Sequence, residues 1–512
     1  MPAELRRITV ATDRSVRCGT VETIVADVCR GCKTDRDKAV AIFNFLVRTV
    51  YMPNHSHRPV EPPDPGTRRK VGLDLWFVND PIKYVTIYGC CGCGPQAHLF
   101  GALLRQAGLG CRLLDPGFGH VSNEVRWGGT WHWMDVWLPA YILDRDGEIA
   151  SYDALMADRS LVADALRDGR ASANFICNRA SHLPAVIHAG AHAPGKRAGY
   201  RPKTIEDLRL RPGELCTWLW GNAGKWYWPA AYYPGHLPCG PAFKYTGDRY
   251  CAEAFEHLRP YRKTIKDGPH APDNSYWRYY GNAVFEWAAP LTRRGLADAG
   301  AVPDNVAFAG GGIQPGRPGK GLAEASIGAV EIAFQLPYVI ADTQIEGTAA
   351  VPPGGAVSFT YSLDGGKTWL LGGEIRKTGR FGPIGIGRPN TAEYPAGSTT
   401  GRYAFRLRVV LRGRQGRSAA TLKALKVTNT TMLNFYSRPW LEVGKNAVTV
   451  TAARGAPLAR HPLRITWRWL EDRTREKSFT HKVARNGAAA TITVGGSKRP
   501  KMKSITLACP AR

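Results

Sequence analysis

Apolar positions recur at helical spacing twice in the first quarter of the chain. In residues 34 to 51, TDRDKAVAIFNFLVRTVY, Ala39, Ile42, Phe43, Leu46 and Val50 follow the i, i+3, i+4, i+7 pattern, which predicts an amphipathic helix capped by Thr34 or Asp35. A second helix is predicted over 95 to 107, PQAHLFGALLRQA, with Leu99, Leu103 and Ala107 on its buried stripe, Pro95 in its first turn and Gly108 as its stop. A Pro- and His-rich loop lies between them, from Met52 to about Arg69. The period then changes to two. Strands are predicted around 111 to 115, 120 to 127 and 130 to 137, the last two joined by Gly128-Gly129.

Further on, 194 to 203 (PGKRAGYRPK) reads as a loop near a domain edge. Residues 216 to 290 are crowded with aromatics and short on periodicity, from Trp218, Trp220, Trp226, Tyr227 and Trp228 to Tyr276, Trp277 and Trp287. Large aromatics are more often core than sugar-stacking platforms. From about 325 the pattern is all β: VEIAFQLPYVI, AVSFTYSL, YAFRLRVVL, LKALKVTN, AVTVTA, LRITWRWL and AATITVG alternate between Gly- and Pro-bearing turns, as in a β-sandwich. A chain of 512 residues exceeds one core. The predicted division is 1–205, an α+β domain with the candidate chemistry; 206–290, an aromatic-rich connection; 291–435, a β-sandwich; and 436–512, a small basic β domain.

Charge sharpens the last boundary. The chain carries a net +27, and residues 401 to 512 hold 24 Lys and Arg against Glu442, Glu471, Asp472 and Glu476. Such a region suits an anionic surface or polysaccharide, or it is simply a solvated basic face; no motif accompanies it that would specify a nucleic acid. No run of eighteen apolar residues is present, so no transmembrane segment is expected. The start lacks an apolar h-region, so no signal peptide is expected and the compartment stays open.

The candidate chemistry begins at Cys93, directly before the Gly94-Pro95 helix start. Helix N-termini carry partial positive charge and N–H groups without intrahelical partners, which favours a thiolate and an oxyanion. A thiolate nucleophile works with a His, and the His with an orienting acid. If the two glycines are the whole hairpin turn, Trp127 faces Thr130 and Ser122 opposes Asp135. His120 shares the Ser122 face, which makes His120 and Asp135 diagonal neighbours within hydrogen-bond reach. His132 sits at an odd offset from Asp135 and is a poor base candidate. Gln96 and Tyr88 are candidate oxyanion or substrate donors, and His98 could face the site.

The same residues resemble the transglutaminase-like superfamily. Gly92-Cys93-Gly94-Pro95-Gln96-Ala97-His98-Leu99, continuing to Leu103, Arg105 and Gly108, is similar to that family's nucleophile helix. His120-Val121-Ser122-Asn123-Glu124-Val125, then Trp131 and Asp135, is similar to its His-x-x-Asn-Glu-Val…Trp…Asp segment, with Ser122 where the family often has Trp. The resemblance covers roughly residues 20 to 160. It implies a papain-like α+β fold, followed here by all-β sandwich domains, and a catalytic triad of Cys93, His120 and Asp135 without a cofactor. The implied step is attack on an amide or peptide carbonyl through a thioester. Water as acceptor gives a peptidase or amidase acting on a protein or peptide, the favoured expectation. An amine gives a transglutaminase or acyltransferase, and a catalytically silent scaffold is the alternative from another class.

Other motifs weigh less. Cys29-x-x-Cys32 and Cys90-x-x-Cys93 have zinc-site spacing, but the second pair would consume the nucleophile, so no metal is expected. Cys216, Cys239 and Cys251 could include a disulfide. Ser362 to Trp369 (SLDGGKTW) matches the Asp-box of sialidase propellers, yet a single copy reads as a hairpin turn.

Overall fold

The computed structural model describes residues 3–50, 60–61, 67–72, 75–78, 80–89, 91–115, 120–137, 140–168, 193–197, 205–221, 225, 227, 281–316, 325–389, 394–414 and 419–511. Helix α1 (Val21–Val28) is capped by Thr20, and helix α2 (Asp35–Thr49) by Thr34. The Thr34 hydroxyl accepts the Asp37 N–H at 3.0 Å, and the Asp37 carboxylate accepts the Thr34 N–H at 3.0 Å. This reciprocal pair satisfies two N–H groups that no helical turn reaches. Ala39, Ile42, Phe43 and Leu46 are buried on the inner face of α2, and Phe43 meets Phe100 of helix α3 (Cys93–Gln106) edge to face at 6.2 Å.

Helix α3 lies against an antiparallel sheet whose strands run Thr130–Met134, Ser122–Trp127, Gly110–Asp115 and Ala193–Arg197 in spatial order. Gly128 and Gly129 both have positive φ, 58° and 85°, the conformation a two-residue turn of matching twist requires. The strand Ala193–Arg197 departs from the loop predicted over 194 to 203. It pairs on the sheet edge with Gly110–Asp115, where Pro194 is tolerated. Its partner lies some eighty positions away, so no local pattern announces it.

Among the described residues the remainder is mostly β, as the alternation predicts, and strand outweighs helix by 44% to 18%. A ten-stranded sheet forms the spine. Its main path runs Val306–Ala309, Gly312–Pro315, Thr421–Met432, Gly281–Ala288, Glu214–Leu219, Lys501–Cys509, Leu463–Glu471 and Arg475–Val483, with Ile340–Ala350 joined to Thr421–Met432 and Gly379–Gly385 beyond it. A five-stranded sheet (Val302–Asp304, Ala325–Gln335, Ala404–Arg414, Ala356–Ser362, Leu370–Ile375) packs against one part of it, with Trp287 meeting Phe334 at 5.7 Å. A three-stranded sheet of Thr9–Thr12, Gly444–Thr451 and Ala488–Val494 shares the same hydrophobic core at the other end.

The predicted boundaries at 206, 291 and 436 therefore do not part the sheet. Gly281–Ala288 pairs with Thr421–Met432 on one side and Glu214–Leu219 on the other, and Glu214–Leu219 pairs with Lys501–Cys509. The strand Thr9–Thr12, from the start of the chain, pairs with Gly444–Thr451. Backbone pairing between distant segments leaves no trace in local periodicity. Trp218, Trp220, Tyr227 and Trp287 are buried, as core aromatics are; Trp226, Trp228, Tyr276 and Trp277 lie outside the described residues. Asp364 accepts the N–H groups of Lys367 and Thr368 and the Thr368 hydroxyl, so the SLDGGKTW motif is a knotted turn. No helix among the described residues is long and apolar enough to cross a membrane.

The α-rich part and the β part are fastened at Asn434. Its side-chain amide donates to Thr49 O (2.9 Å) and Val85 O (2.7 Å), and its N–H donates to Thr86 O (2.9 Å). Gly89 closes the π-helical turn Tyr84–Tyr88 with φ 63°, and a Cβ there would stand 2.8 Å from Asn434 Cγ. Because Asn434 is held on three sides, it has nowhere to yield. Gly89→Ala should destabilise the chain by about 1–3 kcal/mol, read as a lower urea midpoint with far-UV circular dichroism unchanged before the transition.

Candidate active site

The hairpin register is the one a two-residue turn sets: Trp127 pairs with Thr130, and the ladder runs to Asn123 opposite Met134. Asp135 follows directly, and His120 sits just before the paired strand, so the two meet on one side of the sheet. His120 Nε2 lies 2.5 Å from Asp135 Oδ2. The second Asp135 oxygen, Oδ1, accepts the Trp137 N–H at 2.9 Å, a local turn that fixes the carboxylate plane. The Trp137 ring tilts over the imidazole at 5.0 Å between centroids.

Cys93 is the first residue of α3, behind Gly92 as N-cap, and its thiol is hydrogen-bonded to His120. With Nε2 committed to Asp135, Nδ1 is the nitrogen left to face the sulfur. Asp135 is fully buried, His120 is 6% exposed and Cys93 is 8% exposed. The three groups form a nearly dry line of sulfur, imidazole and carboxylate, with Cys93 the most exposed of the three.

Burial alone would pull the His120 pKa down. The charge and hydrogen bond of Asp135, with the hydrogen bond and charge of Cys93, outweigh it and raise the pKa from 6.5 to about 10. A group whose folded pKa is raised holds its proton more tightly when folded. Its contribution to stability is complete below pH 6.5 and is lost as pH climbs towards about 10. The native chain should therefore lose more unfolding free energy across that window than His120→Gln does. Denaturant melts at intervals through the window check this, and parallel pH curves for the two proteins would contradict it.

Gln96 is buried, and its Nε2 donates to Cys91 O at 3.0 Å, which clamps the turn leading into Cys93. Tyr88 is fully buried at the end of its π-helical turn, five residues ahead of Cys93. His132 lies on the other face: its Nδ1 meets Ile149 O at 2.5 Å and its ring stacks on Trp127 at 3.6 Å. His98 is half-buried on α3. Cys216 is a buried thiol, while Cys90, Cys239 and Cys251 lie outside the described residues. Among the described residues no group of three His, Cys, Asp or Glu side chains is placed to hold a metal ion.

Sequence reasoning assigned no role to Asn123 or Arg112, or to the Trp137 backbone. The Asn123 amide donates to Ala97 O at 3.0 Å and to Cys111 Sγ at 3.3 Å, pinning the hairpin to the nucleophile helix. Glu124, fully buried, pairs with Arg112 at 2.5 Å and accepts the Tyr152 N–H at 2.8 Å. A signal was available: Ser122, Asn123 and Glu124 are consecutive polar residues where a half-exposed strand would alternate, and consecutive buried polar groups need partners.

No known family model matches the chain, and no curated protein matches it. Among solved structures it is similar to a glycosyl hydrolase family 2 member from Bacteroides cellulosilyticus, at 8% identity over 36% of this chain and 24% of that one, with a TM-score of 0.12. It is also similar to the full-length RrgB pilus protein from Streptococcus pneumoniae, at 10% identity over 36% of this chain and 31% of that one, with a TM-score of 0.11. The chain thus spans about a quarter to a third of the length of these structures.

Proposed function

We propose that the chain is a cysteine acyl-transfer enzyme of the transglutaminase-like type, its α-rich part a papain-like catalytic domain, acting as a peptidase or amidase. The observation that carries this reading is the buried, hydrogen-bonded line from Cys93 through His120 to Asp135 at the start of a helix. A His120 that keeps its proton at neutral pH sets a positive charge beside the sulfur, and the thiolate is the nucleophile. The thiolate attacks the carbonyl carbon. First-turn N–H groups of α3 stabilise the oxyanion, and His120 passes its proton to the leaving amine as the C–N bond breaks. The thioester left on Cys93 is then hydrolysed by water that gives a proton to His120, releasing a carboxylic acid and restoring the pair. Asp135 keeps the imidazole oriented throughout.

The acceptor is set by groups around the thioester rather than by the triad. Incubation with activated ester and amide donors, followed by intact-mass measurement, should trap an acyl adduct on Cys93. Decay of that adduct in water alone supports the hydrolase. Decay only when a primary amine is added turns the reading to a transferase, and no adduct with any donor class contradicts both. The exposed cations Arg464, Arg468, Lys482 and Lys501, on the adjacent strands Lys501–Cys509, Leu463–Glu471 and Arg475–Val483, are where an anionic polymer carrying the substrate would be met.

A further inference from the structure

A groove of about 620 Å³ runs along the outer face of α2, and none of Cys93, His120 and Asp135 lines it. Arg36, Val40, Asn44 and Arg48 line it at four-residue spacing, one helical stripe about 18 Å long. The opposite wall comes from the other end of the chain, with Tyr436 and Trp440, and from Tyr141; Arg14 stands at the side. The volume is that of a small-molecule site, which runs from roughly 300 to 1,000 Å³, and such sites favour seams between structural units.

The charge inside is one-sided. Two carboxylates line the groove, Asp27 and Asp37, and both are engaged elsewhere. Asp27 accepts both Arg17 Nε and Nη2 at 2.8 Å and also pairs with Arg30, while Asp37 accepts the N–H groups of Lys33 and Thr34. Three guanidinium groups face them. Arg36 leans on Gly147 O at 3.2 Å and Glu148 at 3.6 Å, Arg14 leans on Asp13 at 3.5 Å, and Arg48 Nε donates to Asn44 O at 3.1 Å. Exposed contacts of this kind are worth little and yield readily to a ligand.

We propose that this groove binds a small organic anion, its carboxylate or phosphate head on Arg14 and Arg48 and its ring or planar body against Tyr141, Tyr436 and Trp440. Guanidinium forks suit both heads, and aromatic walls suit a ring body. The site is independent of the acyl-transfer reading: it shares no residue with the triad and takes a ligand whether or not Cys93 reacts.

Isothermal titration of the full chain with benzoate, phenyl phosphate and inorganic phosphate tests it. A ring-bearing anion should bind saturably and at least about tenfold more tightly than inorganic phosphate, and whichever ring anion is preferred identifies the head. Asn44→Trp, which fills the groove from the helix side, should abolish binding, and Arg14→Gln and Arg48→Gln should each weaken it by about tenfold. Absence of saturable binding overturns the proposal, as does inorganic phosphate binding as tightly as phenyl phosphate. If Asn44→Trp does not fold, the Arg14→Gln/Arg48→Gln double variant decides: unchanged affinity there overturns it.

Discussion

Cys93→Ala is expected to abolish turnover of any amide or peptide substrate of the chain, a loss on the order of 10⁴-fold or more, with the unfolding midpoint little changed. The expectation follows from the chemistry. Without the sulfur no thioester forms, and the oxyanion donors alone leave only a residual rate. Asp135→Asn should cost on the order of 10² to 10⁴-fold, because the neutral amide keeps the shape but no longer supports a charged imidazole. The two variants should not combine additively, since the three groups act as one unit. A scaffold with a silent triad predicts the opposite: equal activity, or none, in all three proteins.

The second large effect lies far from the sulfur. Arg438, buried in the middle of the molecule, donates to both oxygens of Glu206 at 2.6 and 3.0 Å, to Ser437 Oγ at 2.9 Å and to the Tyr338 hydroxyl at 3.1 Å. The Tyr338 hydroxyl in turn donates to Glu206, and the Arg438 guanidinium lies 4.9 Å from the Trp218 ring centroid. Burial works against the Arg438 charge, yet Glu206 more than compensates and raises its pKa. Arg438→Met leaves the Glu206 carboxylate and the Tyr338 hydroxyl without that cation in a buried site. The expected loss is about 3–5 kcal/mol of unfolding free energy. Adding Glu206→Gln should recover part of it, since the uncompensated charge is then gone. Urea melts of the two variants test this, and a double variant less stable than Arg438→Met would contradict it.

What the sequence made legible was local. The Thr34 cap, the α2 stripe from Ala39 to Leu46 and the Gly128-Gly129 turn each depend on residues within a few positions of one another. The hairpin register fixed by that turn suffices to bring His120 beside Asp135, and the helix start at Cys93 supplies the third member. The β segments were legible as strands but not as a sheet. Glu214–Leu219 announces alternation, whereas nothing in it announces Lys501–Cys509 as its neighbour. The pairing of Thr9–Thr12 with Gly444–Thr451, and the Arg438–Glu206 pair across 232 positions, were hidden for the same reason. The Trp137 contact to Asp135 was hidden because it is made by a backbone N–H, which every residue type but proline carries.

The reading of Cys93 as a thiolate nucleophile is tested most directly by residue-resolved iodoacetamide labelling of the full chain at mildly acidic pH. Accessibility alone ranks Cys29 and Cys32 ahead of Cys93, since both are half-buried while Cys93 is 8% exposed. Burial, with the neighbouring Cys32, pushes Cys29 up to about 11, and burial pushes Cys111 up to about 12, so both are thiols under these conditions. The result expected is that Cys93 is alkylated first, and that His120→Gln removes this preference. Labelling led by Cys29 or Cys32, or a Cys93 rate indifferent to His120, would contradict the account.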